Sequence, residues 1–382
     1  MRINLFNTSR LKENRLPWID YARGIAIFLV LYRHIFEGIK RSGIDVTRYA
    51  YLEHANIMFF SFRMPLFFIV SGLFVGGSLS KRGLREFIIN KWRILLYPYL
   101  LWAVIQVTLQ WVLASYVNAD RSYKDYLYIF YAPREIDQFW YLYALFNTSV
   151  LFAFLLVKAR LRGIYQVMLG LVFFFTSSFL SRHRISVGFV YDILHYYIFI
   201  SLGNLLSEVI LDERKRRIYG SWILFAAILP FFVLCQWYFL QTNLAHANYS
   251  FVEDFQPFLF LIIALSGCAF MMNISFILQR YKVLLTLRVI GFYSLYIYLM
   301  HVLASSATRI LFTRVFHLHN PPVLLVLGIT AGLFIPVIFY NLAMDWGWWW
   351  LFSPVKEKKK NLVGGPGLPA VPEPAAIQNH AS

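Results

Sequence analysis

The sequence predicts an all-α membrane protein, a polytopic bundle of about ten transmembrane helices with both termini in the cytoplasm. Of its 382 residues, 59% are apolar and 14% are charged, whereas about 25% of residues are charged in soluble proteins. The apolar residues fall in windows of about 20, the length of a helix that crosses the hydrocarbon core. They lack the alternation of a membrane β-barrel. A soluble enzyme is therefore excluded.

The apolar windows between charge clusters give the predicted spans, near residues 17–39, 55–79, 88–116, 139–157, 164–181, 186–209, 218–240, 256–279, 284–308 and 322–346. With a cytoplasmic N-terminus, 23 Lys and Arg residues lie on the inside and 10 in the outside loops, as the positive-inside rule requires. We predict a cytoplasmic segment 1–16, a transmembrane domain 17–350 and a cytoplasmic, disordered tail 351–382. The expected location is the inner (plasma) membrane.

Composition also limits the partners of the chain. The net charge of +17 arises mostly from loops that set topology and contact membrane lipids, so nucleic acid is not an expected partner. The two cysteines, Cys235 and Cys268, both lie in apolar windows. They cannot form a disulfide framework or a spaced metal site, and we expect no metal.

The first predicted span carries the densest set of polar residues. Arg23 and His34 are eleven positions apart, which places them on one helix face, about 16 Å apart along the axis. Asp20 lies one turn before Arg23 and Glu37 one turn after His34. Ionisable residues at membrane depth mark functional sites by default. Arg33 lies on a different face, and we interpret it as an interfacial anchor or a partner for another helix.

Arg23 and His34 each have a functional and a structural interpretation. Arg23 is suited to hold a phosphate or carboxylate near the inner mouth, and His34 to act as a base or proton shuttle. Alternatively, Arg23 is a topology charge that snorkels inward and His34 is a buried histidine bonded to a carbonyl. Their occurrence on one face with two carboxylates favours the functional interpretation.

The second predicted span combines a cation with residues that disturb helices. Pro65 and the small residues Ser71 and Gly72 predict a helix break or a tight helix crossing. Ser71 is interpreted as a packing residue. Arg63 requires an anionic partner or a wet cavity at its predicted depth.

Three later features complete the set of polar candidates. Lys91 and Arg93 belong to a basic cluster, which either sets topology and contacts anionic lipids or docks a polyanionic cytosolic ligand. Asp192 and His195 are one turn apart and could orient each other. His301 is predicted at a depth comparable with that of His34.

Together these segments resemble the acyltransferase-3 family of integral membrane acyltransferases. The most specific element is an arginine, ten residues and a histidine, here Arg23 and His34. MPLFFIVSG (64–72) is similar to the second-span motif of that family, QFWYLYALF (138–146) to its Trp-Phe-Leu segment, and IGFYSLYIYLMH (290–301) to its penultimate-helix signature. These segments follow the family's order from about Pro17 to about Trp350.

The resemblance implies transfer of an acyl group, usually acetyl, from cytoplasmic acyl-CoA to a hydroxyl of a cell-envelope or exported carbohydrate. His34 matches the essential histidine of the family and Arg23 its paired arginine, while Lys91 and Arg93 stand at its basic cluster. The sequence departs from the family at two places. Lys91 and Arg93 replace two arginines three positions apart, and Arg63 stands where sugar-acetylating relatives often have a histidine.

The residues and the resemblance give a predicted site in three parts. The catalytic group is His34, Arg23 and Glu37; the acyl-CoA group is Arg23, Lys91 and Arg93; and the substrate-binding group is Arg63, Ser71, Trp140 and His301. His34 acts either as a base on the acceptor hydroxyl or as a nucleophile that forms an acyl-imidazole. The competing function is a transporter or flippase for a lipid-linked sugar, without acyl transfer.

Overall fold

The computed structural model describes residues 16–114 and 121–356, so most of the predicted N-terminal segment and tail lies outside the described residues. The described residues form helices and no strand, which confirms the all-α prediction. The helices are α1 (Pro17–Arg41), α2 (Ala50–Gly72), α3 (Val75–Lys91), α4 (Tyr97–Val112), α5 (Asp125–Tyr131), α6 (Trp140–Val157), α7 (Ile164–Arg182), α8 (Val190–Leu205), α9 (Ser207–Ile210), α10 (Arg216–Tyr219), α11 (Trp222–Ala245), α12 (Phe251–Phe255), α13 (Pro257–Tyr281), α14 (Leu285–Phe292), α15 (Ser294–Arg314) and α16 (Pro321–Asp345).

Eight helical segments of the described residues are long and apolar enough to cross a membrane. Two predicted spans are not among them, for different physical reasons. Helix α1 carries too many charged residues in any window of spanning length, and α8 has 16 residues. Both pack within the bundle, against α2 and other helices. The total of ten spans stays a prediction.

Helix α1 lies at the centre of the bundle, where it contacts α2, α13, α14, α15 and α16. It begins at Pro17, because proline at the first helical position has the required φ and no N–H to satisfy. The next turn is fixed to α13, since Trp18 stacks on Phe276 at 4.5 Å and its backbone N–H donates to Gln279 at 2.8 Å. The polar face of α1 is thereby held in one orientation.

Helix α2 continues through Pro65 and ends at Gly72. The expected break at Pro65 is therefore absent, whereas the expected tight crossing is present. A Cβ atom on Gly72 would lie 2.3 Å from the carbonyl oxygen of Ile200, and one on Gly203 would lie 2.2 Å from that of Ile69. Only glycine permits α2 and α8 to approach so closely. The chain breaks after Gly72, so the predicted span 55–79 runs too far at its end.

Candidate functional site

One face of α1 lines two cavities. Arg23 and Ile27 lie in the wall of the first, which we call the Arg23 cavity, and Val30, His34 and Glu37 lie in the wall of the second, the His34 cavity. Their spacing of three or four residues is that of a single helical face. The structure therefore places the predicted pair on one side of α1 but in separate chambers.

The Arg23 cavity is narrow, with a volume of about 70 Å³. Lys91, which is buried, lines it together with Ser71 and Tyr141. The predicted donor residue Arg93, by contrast, is exposed and does not line this cavity. This volume is well below the roughly 300–1,000 Å³ of pockets that hold drug-sized ligands, so the cavity has no room for a nucleotide.

The His34 cavity is larger, about 440 Å³. Its histidine packs edge-on against His301, with 5.2 Å between ring centroids. His301 is fully buried, and its Nδ1 lies 3.1 Å and 2.9 Å from the carbonyl oxygens of Ile297 and Tyr298. Because both partners are acceptors, Nδ1 of His301 carries a proton. Its Nε2, which has no hydrogen-bond partner among the described residues, is then left as an acceptor.

The two carboxylates at the ends of the polar face of α1, Glu37 and Asp20, contact neither His34 nor each other in the described residues. The side chain of Asn56 donates to Glu37 at 2.9 Å, and no described contact joins Glu37 to His34. Asp20 is fully buried and lies 3.7 Å from Arg288 of α14. The ring in contact with His34 is that of His301.

The predicted substrate residues are divided between the two cavities. Ser71 lies in the Arg23 cavity, whereas Arg63 and Trp140 line the His34 cavity. The Arg134 guanidinium lies 4.5 Å above the Trp140 ring. Ser71 and Trp140 therefore border different chambers, and His301 lies beside the second.

The expectation that Asp192 and His195 orient each other is wrong. Asp192 forms an ion pair with Arg134 at 2.7 Å, while His195 Nε2 lies 3.1 Å from Glu253 and its Nδ1 lies 3.2 Å from Ser177 Oγ. A spacing of one helical turn places the two residues on the same face of α8, but each of them binds a residue of another segment. His195 and Glu253 both line the His34 cavity.

The hydrogen bonds of Ser177 show which nitrogen of His195 carries a proton. The Ser177 hydroxyl donates to the carbonyl oxygen of Phe174 at 2.7 Å, so its oxygen is left to accept from Nδ1 of His195. A neutral His195 then accepts at Nε2 from a protonated Glu253, whereas a protonated His195 pairs with the Glu253 carboxylate. Burial also raises the pKa of Glu253, which lies between the spans, to about 8. The raised pKa favours a neutral Glu253 at pH 7.

Tyr298 lines both cavities. Its hydroxyl donates to the backbone carbonyl of Gln138, and its ring lies 5.4 Å from that of Tyr141. Tyr298 is therefore shared by the walls of the two chambers, and Tyr141 packs beside it.

Several residues of the two cavities were missed or misinterpreted in the sequence. Arg33 lies in the wall of the His34 cavity beside Phe60 of α2, in agreement with its interpretation as a partner for another helix, but its place in the cavity was missed. Arg134 and Glu253 lie on short connecting segments, where the sequence gives no periodicity. Tyr298 lies in the segment 290–301, whose motif was the available signal. In the described part of the chain, no group of three His, Cys, Asp or Glu residues could hold a metal ion.

The fold and these chambers define a multi-pass membrane protein with a buried polar site. The chain belongs to the Acyltransferase domain family, which it matches over residues 16–341, as the motifs predicted. It is also similar to "Nodulation protein NolL" of Mesorhizobium japonicum, with 29% identity over 150 residues. The match covers 39% of this chain and 38% of that relative's length. No solved structure matches.

Proposed function

We propose that this protein is an O-acyltransferase of the inner membrane, which moves an acyl group, acetyl in the simplest case, from cytoplasmic acyl-CoA to a carbohydrate hydroxyl. The observation that supports it is the single face of α1 that lines both cavities, with Arg23 at one and His34 at the other. Family membership gives the reaction class. A donor chamber and an acceptor chamber joined by one helix suit the transfer of a small group between two large carriers.

The donor enters at the Arg23 cavity. Acyl-CoA combines a polyanionic nucleotide with a long thin arm, and a space of about 70 Å³ accepts part of the arm but not the nucleotide. Lys91 and Arg23 supply positive charge within the cavity, while the exposed Arg93 is available to the phosphates at the surface. The thioester then points along α1 towards His34.

The chemistry takes place at His34. Its imidazole removes the proton from the acceptor hydroxyl, whose oxygen attacks the thioester carbonyl carbon. The carbon–sulfur bond breaks, a carbon–oxygen ester bond forms, and the proton passes to the departing thiolate. Nε2 of His301 is an acceptor beside His34 and is the proposed positioning group.

The test is acyl-CoA consumption by the purified protein with envelope glycans as acceptors. His34→Gln keeps hydrogen bonding but cannot shuttle a proton, so transfer should fall by about 10²-fold or more. His183→Gln is the matched control, because His183 is exposed and borders neither cavity. Transfer at the wild-type rate by well-expressed His34→Gln would refute the role of His34. No acyl-CoA consumption by the wild type would favour a transporter.

A further inference from the structure

Two arginines from neighbouring helices meet in the wall of the His34 cavity. The guanidinium carbons of Arg33 on α1 and Arg63 on α2 each lie 5.5 Å from the centre of the Phe60 ring. Arg63 is only 3% exposed and Arg33 is half-buried. The two cations therefore lie beside one aromatic ring, and Arg33 directly precedes His34 in the chain.

Neither arginine has an anionic partner in the part of the chain that the structure describes. No ion pair involves Arg33 or Arg63. The Nη1 atom of Arg63 is buried without any hydrogen bond. A buried charge without a partner is unfavourable, and two like charges together are more so. Such a pair indicates a bound anion that the polypeptide itself does not supply.

In the described residues, no carboxyl group of the cavity forms an ion pair with either arginine. Glu37 accepts a hydrogen bond from Asn56 at 2.9 Å, and Asp137 pairs with Arg121 at 3.1 Å. Glu253 lies 3.1 Å from His195, which is its partner. The cavity wall holds five arginines against three carboxyl groups, so it carries an excess of positive charge.

We propose that the carbohydrate acceptor carries an oxyanion, a phosphate or a carboxylate, which Arg33 and Arg63 bind while His34 meets a neighbouring hydroxyl. Guanidinium groups form paired hydrogen bonds with both oxyanions. The volume of about 440 Å³ lies within the usual range for pockets that hold small ligands. This inference rests on the proposed function for the identity of the ligand as the acceptor.

The oxyanion of the acceptor also determines which hydroxyl of the sugar reaches His34. Because Arg33 adjoins His34 in the chain, an anion held by Arg33 and Arg63 fixes one end of the sugar close to the imidazole. The hydroxyl that reaches His34 is then selected by its distance from the anion. Neutral sugars lack this anchor and should bind more weakly.

The experiment compares matched sugars on the purified full-length protein in detergent. Glucose, glucose 6-phosphate and glucuronic acid are titrated while the unfolding temperature is followed, which yields a Kd without any acyl transfer. The two charged sugars should bind at least about tenfold more tightly than glucose, the factor expected for one charged hydrogen bond. Equal binding of all three sugars would overturn the proposal.

The variants assign the binding to the two arginines. Arg63→Gln and Arg33→Gln should each remove most of the preference for charged sugars, and Arg63→Lys, which keeps the charge, should retain part of it. Arg48→Gln is the matched control, since Arg48 is exposed and does not line the cavity. Size-exclusion profiles like that of the wild type establish that each variant is folded. Full preference in folded Arg63→Gln protein would overturn the assignment.

Two further results separate this inference from the proposed function. Adenosine 3′,5′-bisphosphate, a phosphate-bearing fragment of CoA, should not displace glucose 6-phosphate. Displacement that depends on Arg63 would show that the arginines bind the donor, and it would overturn the proposal. Charged-sugar binding by Arg33 and Arg63 without acyl-CoA consumption would support the anion site while contradicting the acyltransferase. Acyl transfer with no charged-sugar preference would contradict the anion site alone.

Discussion

Gly291→Ala tests whether the crossing of α14 over α1 positions the Arg23 cavity. A Cβ atom on Gly291 would lie 1.7 Å from the carbonyl oxygen of Asp20 and 2.8 Å from the backbone nitrogen of Gly24. Ordinary contacts of this kind measure 3.4–4 Å. The two backbones must therefore separate by more than about 1 Å at the turn that carries Arg23, since no flexible side chain can give way.

The expected loss follows from that displacement. Overpacking a well-packed site costs about 1–3 kcal/mol of stability, and a misplacement of about 1 Å in a catalytic arrangement can reduce the rate by about 10²-fold. Gly291→Ala should therefore lower the unfolding temperature, raise the KM for acyl-CoA and slow transfer by about 10- to 100-fold. Acyl-CoA consumption and thermal unfolding of the same purified sample measure all three.

Leu285→Ala is the control on the same helix. Leu285 is 46% exposed, so its truncation changes α14 without touching the crossing. It should retain a donor KM within about twofold of the wild type, as is usual for exposed sites. A Gly291→Ala protein with wild-type stability and donor KM would show that the crossing tolerates the extra methyl group and would refute this reasoning.

Two more predictions concern single residues of the cavities. Lys91→Ala should raise the KM for acyl-CoA by about tenfold, which corresponds to the loss of one charged hydrogen bond. Arg93→Ala should raise this KM less, because of the two residues Lys91 alone lines the Arg23 cavity. A larger effect of Arg93→Ala would contradict the assignment of this cavity to the donor. The unfolding temperature of the wild type should fall as the pH rises from about 5 to about 8 relative to that of Glu253→Gln. The raised pKa of Glu253, from 4.5 to about 8, means that the folded protein holds a proton that the unfolded chain has lost in this window. Identical pH profiles of the two proteins would disprove the neutral carboxyl.

The helical fold could be predicted because it depends on local composition. Apolar windows specify spanning helices almost directly, since lipid leaves the backbone no other way to satisfy its hydrogen bonds. The break between α2 and α3 could not be located in this way. Pro65 is the stronger helix breaker in isolation, yet the chain breaks after Gly72, where α8 packs against α2. The position of the break depends on the packing of Gly72 against Ile200, which lies more than a hundred residues away in the chain.

In the site, too, local features could be predicted and contacts between distant segments could not. The face of α1 that carries Arg23 and His34 follows from helical periodicity alone. The place of Arg33 in the cavity could not be predicted in this way. Because α1 is surrounded by helices, a residue on another face of α1 can still border a chamber. The partners of His195 lie on α7 and α12, and no rule of spacing connects segments so far apart in the chain.

The shared wall at Tyr298 has a consequence for the bilayer as a permeability barrier. The two chambers share one aromatic ring, which is hydrogen-bonded to the backbone of Gln138. Under the proposed function, only the acyl group and the thiol end of the CoA arm have to pass this ring, while the donor nucleotide and the sugar stay on their own sides. The cell could then use cytoplasmic thioester energy at the far side of the membrane without a leak of ions or protons.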